Sequence, residues 1–201
     1  MQPAYLISRH IYITTYMLTD KQYIDGIMLQ DGKVFEMFVK QYKNYVFTIC
    51  MNILKNHAIA EEAAQDTFMK VFKSIQQFNQ ESKLSSWMYR IAYRTSLDYL
   101  KKRKLYSVDT SEYDYIADST NISTDLHHQE LIDQIRQLLL EMDPIDATVM
   151  TLFYFEQKSI KEIQEVTELT ESNIKSKLFR SRKWLRKELS SRFESTLNVL
   201  I

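Results

Sequence analysis

The stretch SIKEIQEVTELTESNIKSKLFRSRKWLRKEL, residues 159–189, decides how the carboxy-terminal part of this chain folds. Its opening, Ser159-Ile-Lys-Glu162, spells a capping box: a hydroxyl for the orphan N–H groups of a first helical turn and a carboxylate that reaches back. Thr170 stands at the start of a second helix, with Leu169 and Ile174 spaced as a hydrophobic staple across it. Two capped helices in such close succession read as a helix-turn-helix. At 100° per residue, Ile174, Leu178, Ser181 and Leu185 share one face of the second helix and meet a core. Ser172, Lys175, Ser176, Phe179, Arg180 and Lys183 then point outward. A helix of this kind fits the DNA major groove, where its first residues reach base edges and the later Lys and Arg neutralise phosphates.

Upstream, Leu131, Ile132, Ile135, Leu138, Leu139 and Met142 continue a helical stripe that stops at Asp143-Pro144. There Asp143 is placed to cap a new helix and Pro144 to fill its first turn, where a missing N–H costs little. Earlier in the chain, Phe35, Phe38, Tyr42, Val46, Ile49 and Ile53 step by three or four residues, one face of an amphipathic helix. A second stripe runs through Ile59, Ala63, Phe68, Phe72 and Ile75, and a third through Trp87, Ile91, Arg94, Leu97 and Leu100. The stretch from about Tyr106 to His128 has no stripe, is rich in Ser, Thr, Asp and Asn, and reads as a flexible acidic linker. The expected fold is all-α: two small helical domains joined by that linker, the second containing the helix-turn-helix. The divisions are 1–19 as an amino-terminal extension, 20–105, the linker 106–128, 129–192, and a tail at 193–201.

Composition narrows the function. Among 201 residues glycine and proline occur only twice each, too few for the turns of a sandwich or barrel. The same scarcity excludes a Walker or dinucleotide loop, which needs closely spaced glycines to bring backbone N–H groups onto a phosphate. The single cysteine, Cys50, lies in an apolar helical pattern, which rules out an internal disulfide and fits a reducing compartment. No run approaches the ~18 uninterrupted apolar residues of a membrane span, and the opening MQPAYLISRHIYITTYM lacks the layout of a signal peptide.

Net charge is +0, but the charges are segregated. Residues 175–192 carry eight basic side chains against the single acid Glu188, while residues 105–135 carry seven acids and no Lys or Arg. Particular faces, not the whole surface, therefore suit a polyanion. Glu61, Glu62, Gln65 and Asp66 recur at helical neighbours and form an acidic ledge that DNA would repel and a protein partner could take. In residues 78–104, Phe78, Trp87, Tyr89, Tyr93 and Tyr99 interleave with Arg90, Arg94, Lys101, Lys102, Arg103 and Lys104. Such a mixture suits the stacking of unpaired bases and tracking of their backbone, although rings at helical spacing are as readily core.

The segments AEEAAQDTFMKVF (60–72), SSWMYRIAYRTSLDYLKKRK (85–104) and the quoted 159–189 stand in the order and spacing of extracytoplasmic-function sigma factors. Over about residues 20 to 190 the chain resembles that family. The resemblance implies a specificity subunit of bacterial RNA polymerase with no catalytic site and no cofactor. Its partners would be core polymerase, through the beta-prime clamp helices and the beta flap, promoter DNA, and an anti-sigma factor, all in the cytoplasm without membrane insertion. Carried over, 20–105 is the region-two domain for the minus-ten element and 129–192 the region-four domain for the minus-thirty-five element. Glu61, Glu62, Gln65 and Asp66 look like polymerase contacts. The loop Asn79 to Ser86 with its Lys83, then Arg90 and Arg94, and the basic Lys101 and Lys102, look like the single-strand surface. Ser172, Lys175, Ser176, Phe179, Arg180 and Lys183 look like the duplex readers. Two departures stand out: Thr95 follows Arg94 where the family often has Asn, and the turn EVTELTES carries no glycine.

A free-standing helix-turn-helix regulator also explains the basic last helix, but it leaves the acidic ledge and the aromatic-basic segment without work. An enzyme is the weakest reading. His127-His128 with Glu130 sits in a polar linker where histidines are usually solvated, and His10 and His57 have no candidate partners. Met17 opens the first segment with folding information, since Thr19 and Asp20 are placed as caps and Tyr23 and Ile27 begin a stripe.

Overall fold

The computed structural model describes residues 18–106 and 126–192, which are helical throughout with no strand among them. The extension up to Met17, the linker from 107 to 125 and the tail from 193 lie outside the described residues, as do the side chains of His127, His128 and Glu130.

Among the described residues the first half holds four α-helices and one 3-10 turn, Ile75–Gln77. In α1, Asp20–Met28, Thr19 and Gln22 form a reciprocal capping box, and Tyr23, Ile24 and Ile27 are buried. Helix α2, Gly32–Leu54, is capped by Asp31 and buries Phe38, Tyr42, Val46, Ile49 and Ile53, the face its spacing predicts. Gly26 lets α1 cross it closely, because a Cβ there would lie 2.6 Å from Val34 Cγ1. Helix α3, His57–Ser74, turns Ala60, Ala63 and Ala64 inward, small side chains that allow close approach to α2. Rings close this core: Phe38 and Tyr42 lie 4.9 Å apart, as do Phe35 and Phe72. Cys50 is buried among them, and burial pushes its thiol up to about 11, so it is an inert packing group.

Helix α4, Leu84–Tyr106, differs from its expected stripe. Its buried residues are Leu84, Ser86, Met88, Tyr89, Ala92, Tyr93, Thr95 and Ser96, while Trp87, Ile91, Leu97 and Leu100 are only half-buried and Arg94 is exposed. The reason is that α4 is covered on two sides, by α2 and α3 and by a helix of the second half. A helix packed from two directions has no single apolar stripe. Its amino terminus is capped from 64 residues away, where Asp20 Oδ2 accepts the Leu84 N–H at 3.1 Å.

The second half begins with α5, Leu126–Glu141. Asp143 accepts from the N–H groups of Ile145 and Asp146 and caps α6, Pro144–Met150, with Pro144 in its first turn. One π-helical turn, Thr151–Phe155, follows. Helix α7, Ile160–Thr167, opens with the Ser159–Glu162 capping box, and Thr170 caps α8, Glu171–Arg192, through a hydrogen bond from Asn173 N. The turn between them does without glycine: Glu168 itself takes the left-handed conformation, with φ 62°. The two halves share one continuous core, closed across the junction by a hydrogen bond of 2.8 Å between buried Asn52 and buried Thr151.

Candidate polymerase and nucleic-acid surfaces

Three surfaces carry the candidate residues. On α3 the side chains of Glu61, Glu62, Gln65 and Asp66 are all exposed, turned away from the Ala60–Ala63–Ala64 face. Asp66 is held in place, because its Oδ2 accepts the Tyr99 hydroxyl at 2.7 Å. Burial and the neighbouring Asp66 and Glu62 push that phenol above its ordinary range, so it remains a donor. One turn beyond Asp66, Met69 is 49% exposed and sets an apolar side chain at the end of the ledge. Neither Tyr99 nor Met69 stood out in the sequence as part of this surface. The signal for Met69 was its i+3 spacing from Asp66.

The second surface is α4 and the loop before it, and here the rings do not form an open stacking platform. Phe78, Tyr89 and Tyr93 are buried, and Trp87 packs half-buried on Phe78 with centroids 5.0 Å apart. The aromatics of this segment serve mainly as core, as their helical spacing allows. Asn79 uses its side chain to accept the Glu81 N–H. Thr95 is buried and receives a hydrogen bond of 3.0 Å from Lys70, so it faces inward and away from Arg94. Lys101 and Lys102 are exposed, with the Lys102 ammonium over the Tyr99 ring.

Lys83, Arg90 and Arg94 all meet the second half. Lys83 Nζ lies 2.9 Å from Glu162 Oε1, an ion pair outside hydrogen-bond alignment. Arg90 Nε donates to the Glu165 carbonyl, and Arg94 pairs with Glu168. Beneath them the Tyr89 hydroxyl donates to Glu156 at 2.9 Å, and Lys158 donates to Ser85 at 2.8 Å while lying over the Tyr89 ring. Burial sets the titration of this layer: it raises Tyr89 and Glu156 and lowers Lys158. For Glu162 burial acts upward, but the adjacent Lys83 ammonium and the hydrogen bonds from Ser159 outweigh it and hold the carboxyl down at about 2.

The third surface is α8. Ile174, Leu178 and Ser181 are buried and Leu185 is half-buried, whereas Ser172, Lys175, Ser176, Phe179, Arg180 and Lys183 are exposed on the opposite side. Phe179 is 65% exposed, an isolated ring in a basic field. Not all of the basic block is free for a polyanion: Lys177 is drawn into a shielded pair with Asp146 on α6, and Arg192 pairs with Glu141 on α5. Among the described residues no group of His, Cys, Asp and Glu side chains converges as a metal site, and no helix is long and apolar enough to cross a membrane.

Comparison with known proteins gives the class. The sigma-70 region 2 family matches residues 38–106, and the sigma-70 region 4 family matches residues 132–185, in that order along the chain. The chain is 29% identical over 179 residues to the ECF RNA polymerase sigma factor SigW of Bacillus subtilis, covering 84% of this chain and 96% of that protein. It is 24% identical to the ECF RNA polymerase sigma-E factor of Haemophilus influenzae, over 86% of this chain and 96% of the relative. Two solved structures share the fold. One is CnrH in complex with the cytosolic domain of CnrY, with a TM-score of 0.60 and 14% identity over 86% of this chain and 98% of that one. The other is the sigma factor RpoE in complex with the anti-sigma factor NepR from Bartonella quintana, with a TM-score of 0.63 and 18% identity over 80% and 99%. The protein belongs to the extracytoplasmic-function sigma factors of bacterial RNA polymerase.

Proposed function

We infer that this chain binds core RNA polymerase and directs promoter-specific initiation with three separate surfaces. Residues 20–105 dock on the beta-prime clamp helices through Glu61, Glu62, Gln65 and Asp66 and hold the minus-ten strand with Asn79, Lys83, Arg90, Arg94, Lys101 and Lys102. Residues 129–192 set Ser172, Lys175, Ser176, Phe179, Arg180 and Lys183 against the minus-thirty-five duplex and also meet the beta flap. The factor works in the cytoplasm and has no catalytic chemistry of its own. An anti-sigma factor is its regulator, a reading supported by the solved neighbour RpoE, whose structure holds the anti-sigma factor NepR.

One observation carries this reading: an exposed acidic ledge and an exposed basic recognition face lie on separate helices of one chain, α3 and α8. A duplex binder needs only the second. The test is reconstitution with core polymerase. Reversing charge at Glu62 and Asp66 is expected to weaken association with core at least tenfold while helicity stays unchanged, since exposed charges add little to folding. Unchanged affinity in a titration would remove the ledge from the interface, and failure of the intact chain to give promoter-specific initiation with core polymerase would reduce the protein to a regulator.

A further inference from the structure

Two side-chain hydrogen bonds cross between α3 and α4, one turn apart on each helix. Lys70 of α3 donates to Thr95 of α4 at 3.0 Å, and Tyr99 of α4 donates back to Asp66 of α3 at 2.7 Å. The first bond ends on a hydroxyl that is 1% exposed, and it fastens the register of the two helices. The second ends on an exposed carboxylate of the acidic ledge, where no packing is gained. The Tyr99 ring lies half-buried against the core of the first half, so the hydroxyl is presented to the ledge from a fixed base.

The chemistry of a phenol suits this place. Glu62 stands one turn before Asp66 on the same face of α3 and acts on the same phenol. Like charges at that spacing disfavour one another, and a donor beside them offsets the repulsion. A lysine there would cancel charge, whereas a phenol donates and leaves the ledge fully acidic. Asp66 gives up one acceptor site to Tyr99, and an ionised carboxylate has about four, so it keeps the capacity to accept from a partner's cation. The Lys102 ammonium lies 5.9 Å from the centroid of the Tyr99 ring, so the ring serves the basic end of α4 while its hydroxyl serves α3.

We propose that Tyr99 is a positioning residue for polymerase docking: its hydroxyl fixes the Asp66 carboxylate in the orientation that a cationic side chain of core polymerase meets. The proposal rests on the assignment of the ledge as the docking surface. Without the tether, an exposed Asp66 turns among its rotamers and docking has to select one of them. With it, that side-chain freedom is already gone before contact, and association loses less on ordering the interface. Tyr99 thus acts through Asp66.

The test is displacement of the labelled full-length chain from core polymerase by unlabelled variants, over a range of salt concentrations. Tyr99→Phe keeps the ring, its packing and its contact with Lys102, and removes only the hydroxyl. Affinity for core is expected to fall about three- to tenfold, with the salt dependence of wild type because no charge has changed. Asp66→Ala is expected to weaken binding further and to flatten the salt dependence. In the Asp66→Ala background, Tyr99→Phe should alter affinity by less than about twofold, because the tether has nothing left to hold. A merely structural role for Tyr99 would weaken both backgrounds alike, and that outcome overturns the proposal. So does a Tyr99→Phe chain that binds as tightly as wild type while Asp66→Ala binds weakly; the docking reading then stands without it. Unchanged affinity in Asp66→Ala removes Asp66 from the docking surface and the role of Tyr99 with it.

Discussion

Helices α4 and α8 are of nearly equal length, 23 and 22 residues, and both carry Lys and Arg along much of their course. They are used in opposite ways. Helix α8 packs through one face, Ile174, Leu178 and Ser181, and leaves the other in solvent. Helix α4 is gripped between the two halves, with Met88, Ala92 and Ser96 among its buried residues and Arg90 and Arg94 bonded to the second half. An exposed face is ready for a ligand. A face engaged within the chain must first be released, so basic content alone does not set access.

The largest expected effect tests that contrast in stability. Met88 is fully buried in α4, and Met88→Ala should cost about 2–5 kcal/mol through lost burial and a residual cavity. Phe179→Ala on the open face of α8 should stay within about 0.5 kcal/mol, and its loss should fall on duplex affinity. Urea melts of both variants give the comparison. Equal destabilisation would mean that α8 is also covered in solution.

The same contrast explains how much was legible in sequence. The open face of α8 was, because one-sided packing leaves an unbroken spacing and because Thr170 and Ser159 announce their helices through local hydrogen bonds. The faces of α2 and α3 were legible for the same reason. The buried face of α4 was not: Ala92, Ser96 and Thr95 are small or polar, and they are buried by neighbours distant along the chain. Asp20 illustrates the limit. Its place beside Thr19 suggests a cap for α1, yet its carboxylate caps α4, and no local pattern reports a bond spanning 64 residues. The acidic ledge was legible as a surface, but its tie to Tyr99 was not, since those residues are 33 apart.

A second prediction sharpens the contrast within α8. Lys183→Ala should weaken binding to all duplexes about equally and reduce the salt slope by roughly one. Arg180→Ala should cost on the order of 1–3 kcal/mol at one base pair and relax preference there, as expected of a bidentate contact to guanine. Affinity across a promoter library separates the two, and a uniform loss for both would make Arg180 a phosphate contact.

A third concerns acid and the junction beside α4. With its carboxyl at about 2, Glu162 contributes stability that is complete above its ordinary value of 4.5 and is lost as pH falls from there toward 2. Glu156 acts in the opposite sense: burial raises its carboxyl, so protonation on acidification relieves a cost of burial. Lys83, Lys158 and Tyr89 face these acids and remain protonated throughout that window. Wild type should therefore lose stability between pH 4.5 and 3, and Glu162→Gln, though less stable at pH 6, should lose less over the same interval. Parallel losses in thermal melts would show that the Lys83 ion pair and the Ser159 hydrogen bonds do not hold the carboxyl down.

The smallest expected effect falls on Glu168, where the two halves and the turn meet. Its left-handed backbone costs about 1 kcal/mol relative to glycine, the residue such caps favour. Against this stands the ion pair with Arg94, in which both side chains are about 60% exposed. Solvent screening limits such a pair to roughly 0–1 kcal/mol. Glu168→Gly therefore removes a strain and an attraction of similar size, and the net change in stability should lie between zero and about 1 kcal/mol in favour of the variant. Glu168→Gln separates the terms, since it keeps the strained backbone and loses the charge, and it should be neutral or slightly destabilising. Denaturant midpoints for the two variants and wild type decide the matter. If Glu168→Gly is destabilised by more than about 1 kcal/mol, the Arg94 pair is stronger than an exposed pair should be, and α4 is held against α7 by charge as well as by the buried contacts.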